Sequence, residues 1–166
     1  MEQYVSFKRC SWVPAKCNIL MWRAGLDRIP TRQALCRRNI RINSDECGLC
    51  GEGVDLVDHI FTACEYSLCG WARLPPLYAF TFKDIMDFHK SIPGNKKVKE
   101  TVRGLMFVAC WCIWKARNAN IFSNWNGNSG EIFEEVRSLG FLWLKSRSKH
   151  RNLDWRKWCN FTLYTL

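Results

Sequence analysis

Residues 47–64 read Cys-Gly-Leu-Cys-Gly-Glu-Gly-Val-Asp-Leu-Val-Asp-His-Ile-Phe-Thr-Ala-Cys, and this stretch decides what the chain folds around. Two residues separate the first pair of cysteines, eight more precede the histidine, and four more precede the last cysteine. Three thiolates and one imidazole at this spacing suit a tetrahedral zinc ion better than the alternative of buried thiols beside a surface histidine. We therefore predict one structural zinc, with the ligands Cys47, Cys50, His59 and Cys64.

The spacing of the second ligand pair constrains the backbone. Five positions along an ideal α-helix rotate by about 500°, which leaves His59 and Cys64 roughly 140° apart. We expect His59 inside a short helix and Cys64 at or beyond its distorted end. Gly48 and Gly51 follow the first two cysteines, as suits tight turns with positive φ. Asp58 either orients the second ring nitrogen of the histidine or is a solvated helix charge.

Two short helices are predicted before the cysteines. Pro30 separates them, because the residue before a proline disfavours the α region, and Thr31 can cap the second helix, which extends to about residue 38. The first helix, residues 15–26, carries an apolar stripe interrupted by one arginine. The members of this stripe are Ile19, Trp22, Arg23 and Leu26.

Positive charge is concentrated in this opening segment. The whole chain has 25 Lys+Arg against 15 Asp+Glu, a formal charge of +10, and nine of the basic residues face two acids in residues 1–43. Residues 44–65 hold six acids and no Lys or Arg. Such a distribution favours phosphate-rich partners, although it also suits a merely solubilising surface. The candidate nucleic-acid contacts are Arg28, Arg32, Arg37, Arg38 and Arg41.

The remainder of the chain has a helical pattern. Pro75-Pro76 divides a domain at residues 1–76 from a helical C-terminal region at residues 77–166. Capping pairs mark two helix starts, Thr81 with Asp84 and Asn128 with Glu131. A long helix over residues 96–122 lies between them and contains the core cysteines Cys110 and Cys112. The predicted fold is mostly α: a small Cys3His zinc knuckle among short helices, followed by a helical tail.

The ten cysteines and the apolar segments also bear on location. The N-terminus has charges where a secretion signal needs an apolar stretch, so we expect reduced thiols and an intracellular protein, nuclear or cytoplasmic and not secreted. The most apolar run, residues 104–114, is shorter than the roughly 20 residues that cross a bilayer. No association with a membrane is expected.

An ordered series of short motifs carries a resemblance to a known family. It resembles the zinc-binding domain that follows the polymerase in plant non-LTR (LINE-type) retrotransposon reverse transcriptases, and the later motifs are similar to the helical tail of such elements. The resemblance implies the same four zinc ligands. The motifs are Trp-Val-Pro-Ala-Lys at 12–16, Trp-Arg-Ala at 22–24, Asp-Arg-Ile-Pro-Thr-Arg at 27–32, Leu35, Arg38, the paired cysteines, Asp-His-Ile-Phe at 58–61, Cys64, Trp71, Trp-Cys-Ile-Trp-Lys-Ala-Arg-Asn at 111–118 and Ile121-Phe122.

The same family's polymerase requires acidic residues that hold two metal ions, in an aromatic-x-Asp-Asp pattern. The sequence contains no Asp-Asp pair. We therefore expect a non-enzymatic fragment of an RNA-directed DNA polymerase polyprotein, an accessory module that binds RNA or DNA without sequence preference. The alternative is a protein-interaction or structural cap that docks on the polymerase portion of its parent polyprotein or on another partner.

Overall fold

The computed structural model describes residues 7–67, 81–150 and 152–160 of the 166-residue chain. Within these residues the regular structure is helical, and the one β feature is an isolated bridge. The prediction of a mostly α fold is confirmed. The elements are α1 (Ala15–Gly25), α2 (Arg32–Arg37), a π-helical turn (His59–Ala63), α3 (Phe82–Ser91), α4 (Lys96–Ser123), α5 (Ser129–Arg147) and α6 (Trp155–Cys159).

The helix starts follow the predicted capping residues. The Thr31 hydroxyl accepts a hydrogen bond from a backbone N–H of α2 at 3.1 Å. Thr81 and Asp84 form a reciprocal capping box at the start of α3. At the start of α5, Asn128 Oδ1 accepts a hydrogen bond from the Glu131 N–H at 3.1 Å. Each bond satisfies a backbone N–H that has no partner inside its helix.

α1 buries a different face from the one predicted. Ile19 and Trp22 of the predicted stripe are 53% and 47% exposed. The same helical spacing recurs two residues earlier in the chain, and periodicity alone could not choose between the two sets. Packing against α4 selects the earlier set. Its buried members are Cys17, Leu20, Met21 and Ala24.

α4 is the central element of the fold. This 28-residue helix packs against α1, α3, α5 and the π-helical turn. It buries the thiols of Cys110 and Cys112, as predicted. Side chains from before and after the predicted domain boundary, such as Phe61 and Leu144, join α4 in one hydrophobic core.

The boundary itself, at Pro75-Pro76, lies outside the described residues. The division into residues 1–76 and 77–166 therefore stays a prediction. The described residues on either side of it nevertheless share a core, and a polar contact joins them as well.

That polar contact is a buried ion pair between Asp55 and Arg117. The Asp55 carboxylate, with no exposed surface, accepts hydrogen bonds from Nε of Arg117 at 3.2 Å and from its Nη2. The guanidinium is 3% exposed and lies 4.7 Å from the ring centroid of Trp114. A second hydrogen bond to Asp55 Oδ2, 2.7 Å long, comes from the Arg32 N–H at the start of α2. Asp55 thus joins α2 and α4 to the loop that carries it.

Loss of one partner from this ion pair should be costly, because the other charge would remain buried without compensation. We predict that Arg117→Met lowers the free energy of unfolding by about 3–5 kcal/mol. Chemical denaturation monitored by circular dichroism measures this change.

Lys115→Met is the matched control on the same helix. Lys115 pairs with Glu135, but both side chains are substantially exposed, so its removal should cost less than about 1 kcal/mol. Equal effects of the two substitutions would contradict the structural importance of the Asp55–Arg117 pair.

Candidate metal centre

The first two cysteines lie in a closed backbone loop. The Cys47 N–H donates to the Gly53 carbonyl at 2.9 Å, and the Gly51 N–H donates to the Cys47 carbonyl at 2.9 Å. Glu46 and Val54 then pair in the isolated antiparallel bridge. The chain therefore reverses direction between residues 46 and 54, which keeps the two sulfurs in one cluster.

The second pair is brought together by the π-helical turn. The Cys64 N–H donates to the His59 carbonyl at 2.8 Å, the i→i+5 bond that defines a π-helix. This wider turn brings residues five apart closer in angle than the roughly 140° of an α-helix. Cys64 ends the turn with extended backbone angles. The expectation of His59 in a short helix and Cys64 at its distorted end is confirmed.

The four predicted ligands converge on one point. Their Sγ and ring nitrogen atoms all lie within 4.8 Å of one another. Cys47 Sγ and Cys64 Sγ are 3.9 Å apart, and Cys50 Sγ lies 3.3 Å from His59 Nε2. A tetrahedral ion with Zn–S bonds of about 2.3 Å requires sulfurs about 3.8 Å apart. The residues present therefore fit zinc in number, chemistry and spacing, and ligation by these four stays a prediction.

The three thiols of the cluster differ in acidity. A hydrogen bond with Cys64 lowers the pKa of Cys47 to about 5, while the same bond, together with burial, raises the pKa of Cys64. Burial likewise raises the pKa of Cys50. Cys47 is therefore the most acidic of the three thiols. Because the thiolate is the zinc ligand, binding of the ion would release the thiol protons.

The two glycines beside the cysteines have different roles. Gly51 has φ of +71°, as its turn was expected to require. Gly48 does not have positive φ, so that expectation was wrong for it. A Cβ at Gly48 would meet Ile121 Cγ1 of α4 at 2.7 Å. Gly48 therefore permits close packing of the loop on α4.

Asp58 takes neither of the two roles considered for it. Its Oδ1 accepts a hydrogen bond from the Phe82 N–H at 2.7 Å, at the start of α3. The carboxylate thus ties the metal centre to the next helix along the described chain. Sequence reasoning missed this contact because residues 58 and 82 are far apart in the chain.

The five candidate arginines lie on α2 and the segments beside it. Arg32 is half-buried, and its Nη1 donates to the Glu46 carbonyl at 2.8 Å. Arg37 is exposed and pairs with Asp27. The other three are also exposed, and no ion pair joins them to a residue within the described ranges. They are Arg28, Arg38 and Arg41.

Other potential ligands are dispersed. Among residues 7–67, 81–150 and 152–160, the Cys3His cluster is the one group of three or more side chains placed to hold a metal. The nine cysteines within these ranges are free thiols, and burial raises the pKa of Cys10 and Cys17 to about 12. These two thiols are core residues of low reactivity.

The chain matches a known family over the part that carries this cluster. Residues 3–71 match the family described as zinc-binding in reverse transcriptase, and all four clustered residues fall within the match. The match covers less than half of the chain and includes the whole of the cluster. The domain is of a non-catalytic, zinc-binding type, and one structural zinc is the cofactor that the family and the cluster together indicate.

One relative extends beyond the zinc-binding domain. A protein of Arabidopsis thaliana named "Putative ribonuclease H protein" is 27% identical over 125 residues, which cover 70% of this chain. The chain spans about a fifth of the length of that relative, since the match covers 20% of it. No solved structure matches the chain. Within the described residues, no helix is both long enough and apolar enough to cross a membrane.

Sequence reasoning missed two residues that hold the zinc-binding domain in place. Asp55 had been counted only as one of several local acids, and Arg117 only as part of a motif in the helical tail. The signal for Arg117 was its position among apolar residues of α4, where an unpaired cation would be costly. Its partner could not be found from sequence, because the two residues lie 62 positions apart.

We predict that protein purified without chelator contains about one zinc per chain and that Cys50→Ser loses most of it. The physical reason is that the remaining three ligands leave an open position and weaker binding. Elemental analysis of the purified protein gives the stoichiometry.

Cys36→Ser is the matched control, since Cys36 is exposed and lies outside the cluster. It should retain zinc fully. An absence of zinc from the unsubstituted protein would sink the assignment.

Proposed function

We propose that the chain is a non-catalytic accessory module of a retrotransposon reverse transcriptase polyprotein and that it assists the binding of RNA or DNA. The family of residues 3–71 supports the first part of this proposal. The greater length of the Arabidopsis relative supports the view that the chain corresponds to a portion of a longer protein.

The cluster suits a structural role. Four protein ligands complete the tetrahedron of a zinc ion and leave no position for a substrate or a reactive water. A zinc ion held by Cys47, Cys50, His59 and Cys64 would crosslink the loop to the π-helical turn. The chain's own residues then set the geometry around it, with Asp55 and Asp58 tying this unit to α2, α3 and α4.

The observation that carries the nucleic-acid proposal is the separation of charge around the metal centre. Residues 1–43 hold nine Lys/Arg and two acids, whereas residues 44–65 hold six acids. Asp45, Glu46, Glu52 and Glu65 are exposed, so the loop repels phosphate. We infer that the opening segment, rather than the zinc loop, contacts the nucleic-acid backbone.

Within that segment, the three arginines without a described ion pair are the best candidates. Arg28, Arg38 and Arg41 present exposed guanidinium groups. Arg32 is instead held by the Glu46 carbonyl, and Arg37 by Asp27, so their substitution would also disturb local structure. Contacts to phosphate carry no base information, and binding would not depend on sequence.

A protein-docking cap is the second candidate, and one observation favours it. Ile19 and Trp22 are exposed on the outer face of α1, at i and i+3. Such a pair can anchor a protein interface. The polymerase portion of the parent polyprotein would be the partner. Substitution of both residues by Ser should then abolish copurification with that portion and leave RNA affinity unchanged.

We place the site of action inside the cell, in the nucleus or the cytoplasm. The free thiols, including the exposed Cys36, support a reducing compartment.

Replacement of Arg28, Arg38 and Arg41 by Ala should weaken binding to RNA of any sequence. Each lost contact with a single-stranded phosphate should flatten the slope of log K against log salt by about 0.7. Fluorescence anisotropy of a labelled oligonucleotide across a salt series measures both effects.

A charge-matched control replaces Lys83, Lys96 and Lys97, which are exposed on α3 and at the start of α4. Its slope should stay close to that of the unsubstituted protein. Equal loss in both variants would mean that net charge alone, and not a located surface, determines binding.

The chain alone should show no template-dependent DNA synthesis. The sequence has no Asp-Asp pair, and polymerase chemistry needs carboxylates that hold two metal ions. Primer extension with purified protein is the measurement, and synthesis above that of a mock preparation would refute this part of the proposal.

A further inference from the structure

A second basic segment lies at the other end of the described chain. Residues 136–160 contain seven Lys/Arg and a single acid, so this segment supplies six of the ten net positive charges. It corresponds to the second half of α5, the connection that follows and α6. Neither the zinc-binding match at residues 3–71 nor the charge of the opening segment accounts for it.

The one acid in this segment caps α6. Asp154 Oδ1 accepts a hydrogen bond from the Lys157 N–H at 3.1 Å, as the cap of α6. The side chains of Lys145, Lys149 and Arg156 are exposed. No ion pair to another described residue involves these three.

Aromatic rings lie between the charges. Trp155 of α6 packs edge-on against Phe141 of α5, with ring centroids 4.9 Å apart and an interplanar angle of 81°. The Lys145 ammonium lies 5.2 Å from the Phe141 ring, and the Arg137 guanidinium lies 5.8 Å from the Trp155 ring. Arg137, Phe141 and Lys145 are four residues apart and share one face of α5. Trp155 remains 40% exposed.

The end of α5 lies beside the start of α1. Burial raises the pKa of Cys17 to about 12, and the charges of Lys16 and Arg147 oppose that rise, so both cations are near this thiol. The Lys16 ammonium also lies 5.5 Å from the ring of Trp143 on α5. The end of α5 is thus close to the first turn of α1, on the face of α5 that carries Trp143 and not on the face that carries Phe141 and Lys145.

We propose that the surface formed by Arg137, Phe141, Lys145, Lys149, Trp155 and Arg156 is a second binding site for single-stranded nucleic acid. Lys145, Lys149 and Arg156 contact successive phosphates, and the exposed part of the Trp155 ring stacks on an unpaired base. Arg137 pairs with Glu134 and supports the Trp155 ring. This proposal rests on the proposed nucleic-acid function and adds a site to it. Positive charge interleaved with aromatic rings is the arrangement by which proteins hold single strands without reading sequence.

Single strands are favoured over duplexes for a structural reason. In a duplex the faces of the bases are stacked on each other and cannot reach a protein ring, whereas unpaired bases are free to stack. The basic surface alone would attract either form. Discrimination between them therefore depends on Trp155.

The first test replaces three exposed cations by Gln: Lys145, Lys149 and Arg156. Binding of labelled 20-nucleotide oligouridine and oligothymidine should weaken by about tenfold at low salt, and the salt slope should fall by about 2. The Lys83, Lys96 and Lys97 variant, made with Gln in the same way, is the charge-matched control. Thermal unfolding confirms that each variant is folded.

The second test addresses the base contact. Trp155→Leu should weaken single-strand binding by about fivefold or more, while Trp155→Phe, which keeps a ring, retains most of the affinity. Photocrosslinking of 5-iodouridine RNA to the unsubstituted protein, followed by mass spectrometry, should identify peptides that contain Trp155. Crosslinks confined to residues 15–41 would overturn the second site.

The outcomes separate the two proposals. If the unsubstituted protein binds no oligonucleotide at low salt, both the nucleic-acid function and the second site are wrong. If it binds, loses affinity when Arg28, Arg38 and Arg41 are replaced, and keeps full affinity in the C-terminal variant, only the second site is wrong. A preference for single strands over duplex that disappears in Trp155→Leu supports the second site.

Discussion

The buried carboxylate of Asp55 is the contact on which the arrangement of this protein depends. Removal of a carboxylate from water is costly, and the cost is offset here by a bidentate arginine and a backbone N–H at 2.7 Å. The backbone of the same residue bonds to Asp45 and Gln33. Five hydrogen bonds from the loop, α2 and α4 therefore converge on this one residue, three on its side chain and two on its backbone. The metal cluster lies on the same loop.

This arrangement explains why the zinc-binding domain and the helical tail form one core in the described residues. The loop reaches α4 through the Asp55–Arg117 pair and through Ile121, which occupies the space beside Gly48. The π-helical turn also packs on α4. A zinc ion would restrict the motion of the loop and the π-helical turn. Because both contact α4, it would also stabilise that helix. The family match ends at residue 71, but the hydrophobic core that contains the matched residues also includes side chains of the helical tail.

The sequence was sufficient for features that depend on local chemistry. Ligand spacing predicted the cluster, and capping residues such as Thr31 and Thr81 predicted helix starts, because their partners lie three positions away. Features that depend on tertiary packing could not be predicted from the sequence. The prediction of the buried face of α1 was wrong because two apolar sets of residues have the same helical spacing. The Asp55–Arg117 pair was missed because the two residues are distant in the chain. The basic surface around Trp155 was missed because its charges were spread over a helix end and a separate short helix.

Hydrogen–deuterium exchange of the zinc-loaded and chelated protein tests the central claim, that the metal centre orders α4 through Asp55. Chelation should raise exchange in residues 44–64 and also in the part of α4 around Arg117 and Ile121, while the distant start of α4 near Val98 changes little. Faster exchange confined to residues 44–64, with α4 protected as before, would contradict it. In that case the zinc loop would be an independent unit that merely rests on the helices.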